Sequence, residues 1–221
     1  MIYRKLAFIF IVSYLIGSLS FAIIISKVFY KKDIRTFGSG NAGMTIMLRT
    51  FGKGAAAATF IGDFLKGTVS VVFARMMMAQ YWPIMNMHHA EHMFFRDVAV
   101  YLAIGGALLG HLKPLYFGFK GGKGISVAFG AMMAAQPLLT SLAFAVWVVV
   151  VMASKMVSLA SICAVVFFGI ATFVNFKITG RFSAPNAFAA VVFPAVIVYA
   201  HRSNIQRIMN GTERKLGQKN Q

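Results

Sequence analysis

The sequence predicts an all-α, polytopic membrane protein, and three observations carry that reading. Hydrophobic residues fill 59% of the 221 positions and charged residues 12%. The mean hydropathy of +0.74 is far above that of a soluble domain of this size. The apolar residues gather into runs, several of them near the length that crosses a bilayer. The 22 basic residues, against 5 acidic, lie mostly between those runs. There they orient spans and attract anionic headgroups or substrates, a placement that speaks against nucleic acid as the partner of a chain with net charge +17.

The first run, residues 6–29, follows Met-Ile-Tyr-Arg-Lys and superficially reads as a signal peptide. It continues for the roughly 20 residues that span a bilayer and no A-x-A site follows, so it is read as a retained helix. Further runs fall at 54–79, 97–109, 125–135, 138–153, 156–174 and 184–200. Gln136 and Pro137 either turn the chain between two short helices, giving seven spans, or interrupt one long helix, giving six. With seven spans, 15 Lys and Arg share one side and 6 the other, Lys66 lying inside a span. With six spans the split is 11 against 10. The positive-inside rule therefore selects seven spans, N-terminus outside and C-terminus in the cytoplasm. No heptads, linker, low-complexity tract or internal repeat divides the chain, which is read as one domain, 1–221. The single cysteine, Cys163, excludes an intrachain disulfide or a multi-cysteine metal site.

Two loops stand out on the side with more positive charge. Residues 110–124, GHLKPLYFGFKGGKG, hold five glycines and three lysines. Lys120 and Lys123 bracket Gly121 and Gly122 just before a helix, so backbone N–H groups, a helix N-terminus and two ammonium groups could converge on a phosphate. A positive-inside anchor would need the lysines but not the glycines. The loop is not a Walker A motif, because Gly124 stands where Ser or Thr would ligate magnesium. The second loop, residues 38–52, offers Gly38, Gly40, Ser39, Asn41, Thr45 and Arg49. Arg49 can grip a phosphate with two hydrogen bonds, and Thr45 shares its face if the segment is helical. A helix cap followed by a surface arginine accounts for this loop equally well.

Other candidates carry bland alternatives. Asp63 and Lys66 lie three apart inside an apolar run, either a functional intramembrane pair or an ion pair bracing the bundle. Ser158 and Ser161 could bond a substrate or their own helix carbonyls. His88, His89, Glu91 and His92 suggest a metal cluster, but the topology places them outside, away from the glycine loops. They are read as a solvated loop with no metal. The tail, HRSNIQRIMNGTERKLG, puts His201 and Asn204 on one helical face with Glu213 beyond. It is either a basic amphipathic surface segment or a source of a base or phosphate ligand.

Taken together and in order, DIRTFGSGNAGMTIMLRTFG, IGDFLKG, GHLKPLYFGFKGGKG, VSLASI and HRSNIQRIMNGTERKLG resemble the bacterial acyl-phosphate:glycerol-3-phosphate acyltransferase family. The resemblance implies a seven-helix inner-membrane enzyme that uses no cofactor and works on the cytoplasmic face. It implies transfer of a fatty acyl group from acyl phosphate to the 1-hydroxyl of glycerol 3-phosphate, giving lysophosphatidic acid and phosphate. By motif position it assigns Lys123, Arg49, His201, Asn204 and Ser39 to catalysis, and Gly38, Gly40, Asn41, Thr45, Lys120, Gly121, Gly122, Ser158, Ser161 and Glu213 to substrate binding. The chain departs from the family at Met44 and Ile46 in the first motif, Ser126 and Val127 after the second, and Ser203 in the third. His92 and Asp97 also fit the H-x4-D pattern of acyl-CoA-dependent glycerolipid acyltransferases, but on the opposite face. A transporter or scramblase of a phosphorylated solute or lipid is the rival reading; the paired broken helices expected of one are not evident in the sequence.

Overall fold

The computed structural model describes residues 2–81 and 88–218, and within them the regular elements are all helical. The chain forms two compact units, Met1–Ala135 and Gln136–Gln221.

In the first unit, α1 (Ile2–Gly17) and α2 (Phe21–Tyr30) share the first apolar run, followed by α3 (Met44–Phe51), α4 (Lys53–Tyr81), α5 (His89–Leu112) and α6 (Ile125–Ala135). Single 3-10 turns lie at Ile34–Thr36 and Leu115–Phe117. Helix α1 lies against α5 at backbone distance: a side chain at Gly106 would strike the Phe10 carbonyl, and one at Gly110 the Tyr14 carbonyl. This is the small-xxx-small solution to packing helices where the solvent is as apolar as leucine. Gly67 does the same for α4 on α6, against the Val127 carbonyl.

The run at 6–29 is not the single helix its composition suggests. It breaks at Ser18, Leu19 and Ser20. Serine competes with the backbone for hydrogen bonds and weakens a helix, while hydropathy averages across the break. The polar groups freed by the break are taken up by α4: Lys66 Nζ donates to the Leu19 carbonyl at 2.7 Å, and the Phe21 amide donates to the Asp63 carboxylate. Helix α5 also departs from expectation, starting at His89 rather than 97. The segment read as a solvated loop is the opening of that helix, because an apolar run marks the lipid-facing stretch and not the helix end.

The second unit holds α7 (Pro137–Ser154), α8 (Val157–Ile178), α9 (Ala184–Ala200) and α10 (Arg202–Met209). The helical run does stop before Gln136 (φ −142°, ψ 72°), and Pro137 opens α7, where its missing N–H costs nothing. Among the described residues, five segments are long and apolar enough to cross a bilayer: Ile2–Tyr30, Lys53–Gln80, His89–Phe117, Pro137–Ser154 and Val157–Ile178. Helices α9 and α10 form a pair bent by 61°. Helix α6 has 11 residues, about 16 Å and half of a hydrocarbon core.

Candidate active site

In the first unit the two glycine loops lie against each other. The Ala42 amide meets the Gly121 carbonyl at 3.5 Å. A side chain on Gly122 would strike the Ala42 carbonyl at 2.6 Å. Each loop feeds the N-terminus of a helix. Gly43 caps α3 without any side-chain hydrogen bond, and Gly124, at φ +87°, leads into α6. Two sets of unpaired helix N–H groups are thus presented by neighbouring loops, the arrangement that favours an anion. Gly38, Ser39, Gly40 and Lys120 are exposed, whereas Asn41, Thr45, Arg49, Gly121, Gly122 and Lys123 are half-buried. Thr45 and Arg49 both lie on α3, so the helical spacing anticipated for them is real.

A clamp absent from the sequence reading holds these loops together. Arg35 donates to both carboxylate oxygens of Asp33, at 3.0 and 2.7 Å, and its remaining arm donates to the Phe117 carbonyl at 2.7 Å. The chain just ahead of residues 38–52 is thereby tied to the 110–124 loop. The hydrogen bonds from Arg35 hold the Asp33 carboxyl far below the usual carboxylate range, against the opposing effect of partial burial, with Lys27 adding at 3.3 Å. The available signal was Asp33 itself, one of five acidic residues in the chain, set within a basic stretch.

In the second unit Glu213 is a hub. Its Oε1 accepts from Ser158 Oγ at 2.6 Å and Asn204 Nδ2 at 2.7 Å, and its Oε2 accepts from Arg207 Nε at 2.8 Å. Burial pushes the Glu213 carboxyl up, but those three hydrogen bonds and the Arg207 charge outweigh it, and the net shift is downward. The Leu216 amide donates to the Lys155 carbonyl at 2.7 Å, fastening the tail to the α7–α8 turn. Arg207 entered the sequence reading only as tail charge. Its partnership depends on a fold-back of the chain that spacing does not reveal.

His201 sits at the α9–α10 bend, 4% exposed. Its Nδ1 is 2.8 Å from the Ile197 carbonyl. A carbonyl only accepts, so Nδ1 carries a proton, and in the neutral ring Nε2 is the acceptor edge. Ser158 and Asn204 join the Glu213 network, but Ser161 does not. Its hydroxyl donates to the Val157 carbonyl at 2.9 Å and accepts from Trp147 Nε1 at 3.2 Å. Between α8 and α9 an apolar groove of about 340 Å³ is lined by Val166, Gly169, Phe173, Ala190 and Pro194 among others.

The family model described as glycerol-3-phosphate acyltransferase matches residues 7–211. The glycerol-3-phosphate acyltransferase of Clostridioides difficile (strain 630) is 40% identical over 211 residues, covering 95% of this chain and 94% of that protein. The one from Neisseria meningitidis serogroup B (strain ATCC BAA-335 / MC58) is 37% identical over 209 residues, covering 93% and 94%. Two crystal structures of PlsY (YgiH), an integral membrane glycerol 3-phosphate acyltransferase, superpose with TM-scores of 0.79 for the glycerol 3-phosphate form and 0.75 for the lysophosphatidic acid form. Each is 33% identical and covers 96% of both chains.

Proposed function

We propose a reaction from one premise: this chain belongs to the glycerol-3-phosphate acyltransferase family. The chain acylates the 1-hydroxyl of glycerol 3-phosphate, with acyl phosphate as donor. The hydroxyl oxygen attacks the acyl carbon, the bond from that carbon to the phosphate oxygen breaks, and lysophosphatidic acid and inorganic phosphate leave. An acyl phosphate is a mixed anhydride with a good leaving group. The enzyme therefore needs chiefly to hold two phosphates and stabilise developing negative charge.

The observation that carries this reading is the pair of abutting glycine loops at two helix N-termini, with Lys123 and Arg49 beside them. Lys123, Arg49 and Ser39 hold phosphate and offset the charge that builds on the leaving group. Gly38, Gly40, Asn41, Thr45, Lys120, Gly121 and Gly122 supply the cradle. In the second unit, the Nε2 edge of His201 is suited to take a hydroxyl proton. Asn204, Ser158, Ser161 and Glu213 support that side. The groove between α8 and α9 suits the alkyl chain of the donor. The family match runs across residues of both units.

The donor is tested with purified protein, glycerol 3-phosphate and either palmitoyl phosphate or palmitoyl-CoA, other enzymes being absent. Lysophosphatidic acid is expected only from the phosphate. Equal or faster turnover of the thioester sinks the donor assignment. Product from neither shifts weight to a transporter of phosphorylated solutes.

Seven crossings of a bacterial inner membrane, N-terminus outside and C-terminus inside, follow from the charge split of 15 to 6. The count includes the short α6 and includes Lys219, which lies outside the described residues. After Cys163 is replaced, single cysteines at Ser39, Lys120 and Ser203, all exposed, are expected to label only from the cytoplasm, and one at His89 only from outside. Labelling of position 120 from the periplasm overturns the topology.

A further inference from the structure

Asp63, Lys66 and His111 form a buried polar cluster that the reaction above does not use. They are 1%, 3% and 3% exposed. The Lys66 ammonium reaches three acceptors: Asp63 Oδ1 at 2.8 Å, the Leu19 carbonyl at 2.7 Å and His111 Nδ1 at 3.0 Å. A lysine ammonium only donates, so His111 Nδ1 must accept and the ring proton must sit on Nε2. The neighbouring ammonium thereby selects one tautomer and one ring orientation.

That Nε2 edge lies directly under the glycine loop, and a side chain on Gly122 would collide with it. His111 also grips the loop through its main chain, its carbonyl accepting from the Gly122 amide at 3.1 Å. The same carbonyl occupies the space a side chain would need at Gly121. The residues that precede Lys123 therefore rest on one histidine, and that histidine is held by the ion pair that also takes up the α1–α2 break. A buried ion pair is seldom a better stabiliser than apolar side chains of the same volume, so stability alone is a weak reason for it. Fixing a hydrogen-bonded geometry is a better one.

We propose that His111, oriented by Lys66 and Asp63, is a positioning residue for acyl transfer that sets the backbone of residues 121–123 where substrate phosphate is received. The inference rests on the reading of that loop as a phosphate cradle. Main-chain donors act on a phosphate only when aimed at it beforehand, so a small tilt of the loop weakens binding without unfolding the protein.

The test uses the full-length protein in detergent, with KM and kcat for acyl phosphate and glycerol 3-phosphate and a thermal unfolding midpoint for each variant. His111→Phe keeps a ring against Gly122 but removes the acceptor for Lys66. It is expected to raise KM for one phosphorylated substrate about tenfold or more, leaving the other within about threefold. His111→Asn, whose amide oxygen can accept from Lys66, is expected to return that KM to within about threefold of wild type. A purely structural role would lower the folded fraction, which scales the maximal rate and leaves KM alone. Wild-type KM values in a folded His111→Phe protein overturn the proposal, as does a His111→Asn protein no better than His111→Phe. Should His111→Phe not fold, Gly122→Ala decides, since it wedges the loop away from the His111 ring without removing any side chain of the cluster. The same selective rise in KM is then expected, and an unchanged KM overturns the proposal. Lys123→Ala separates the two levels: if it alone raises KM, positioning fails and the cradle stands; if neither variant does, the cradle reading fails.

Discussion

Lys123→Ala and Arg49→Ala are each expected to lower kcat/KM by about 1.5–3 kcal/mol, roughly 10- to 150-fold, with the protein still folded. Each side chain would make a charge-assisted hydrogen bond to a phosphate whose negative charge grows as the acyl–oxygen bond breaks. Part of the loss is therefore expected in kcat as well as KM. Both are half-buried, so water recovers only part of what they supply. Lysine in place of Arg49 is not a conservative change, because it keeps the charge but loses the planar fork. His92→Ala is the control, lying in the opening turns of α5 and belonging to neither loop. A dead His92 variant beside a normal Lys123 variant would move the chemistry to the H-x4-D pair and abandon the glycine loops.

Glu213→Ala is expected to destabilise the second unit by about 3 kcal/mol. The buried donors Ser158 and Asn204 each lose a bond to a charged acceptor worth about 1.5–3 kcal/mol, while Arg207, 34% exposed, is largely recovered by water. Ser158→Ala removes one partner and leaves the carboxylate with two others, so it should cost only about 1 kcal/mol. Thermal or denaturant unfolding in micelles measures both, and an unchanged midpoint for Glu213→Ala would refute the hub. The pH dependence has a definite sign. The folded pKa of Glu213 lies below its unfolded value, so its contribution is fully present above the ordinary glutamate range near about 4.3 and is lost as pH falls through the folded value. Stability near neutrality should therefore be insensitive to this group.

How much of the site was legible follows from how locally each part is built. Gly121, Gly122 and Lys123 are adjacent in the chain and were expected to precede a helix, and α6 is that helix. Thr45 and Arg49 are four apart, a helical spacing readable before any helix is seen. The Arg35 contact to the Phe117 carbonyl joins positions 82 apart, and the Ser158 contact to Glu213 joins positions 55 apart. No periodicity connects such pairs, so Asp33, Arg35 and Arg207 went unassigned. Asp63 and Lys66 were visible as a pair, but their use was not. Nothing local says that the run at 6–29 breaks and leaves a carbonyl and an amide to be satisfied by α4.

The sequence by itself determined the solvent, the secondary-structure class and the glycine-rich, basic make-up of two loops. Those properties depend on composition and on residues within a few positions of each other. Tertiary structure alone decided that the two loops abut, that a buried lysine orients His111 beneath one of them, and that Glu213 gathers Ser158, Asn204 and Arg207. Each of those outcomes is a polar group removed from water and obliged to find a partner wherever the packed helices place one, and that obligation is written in three dimensions rather than along the chain.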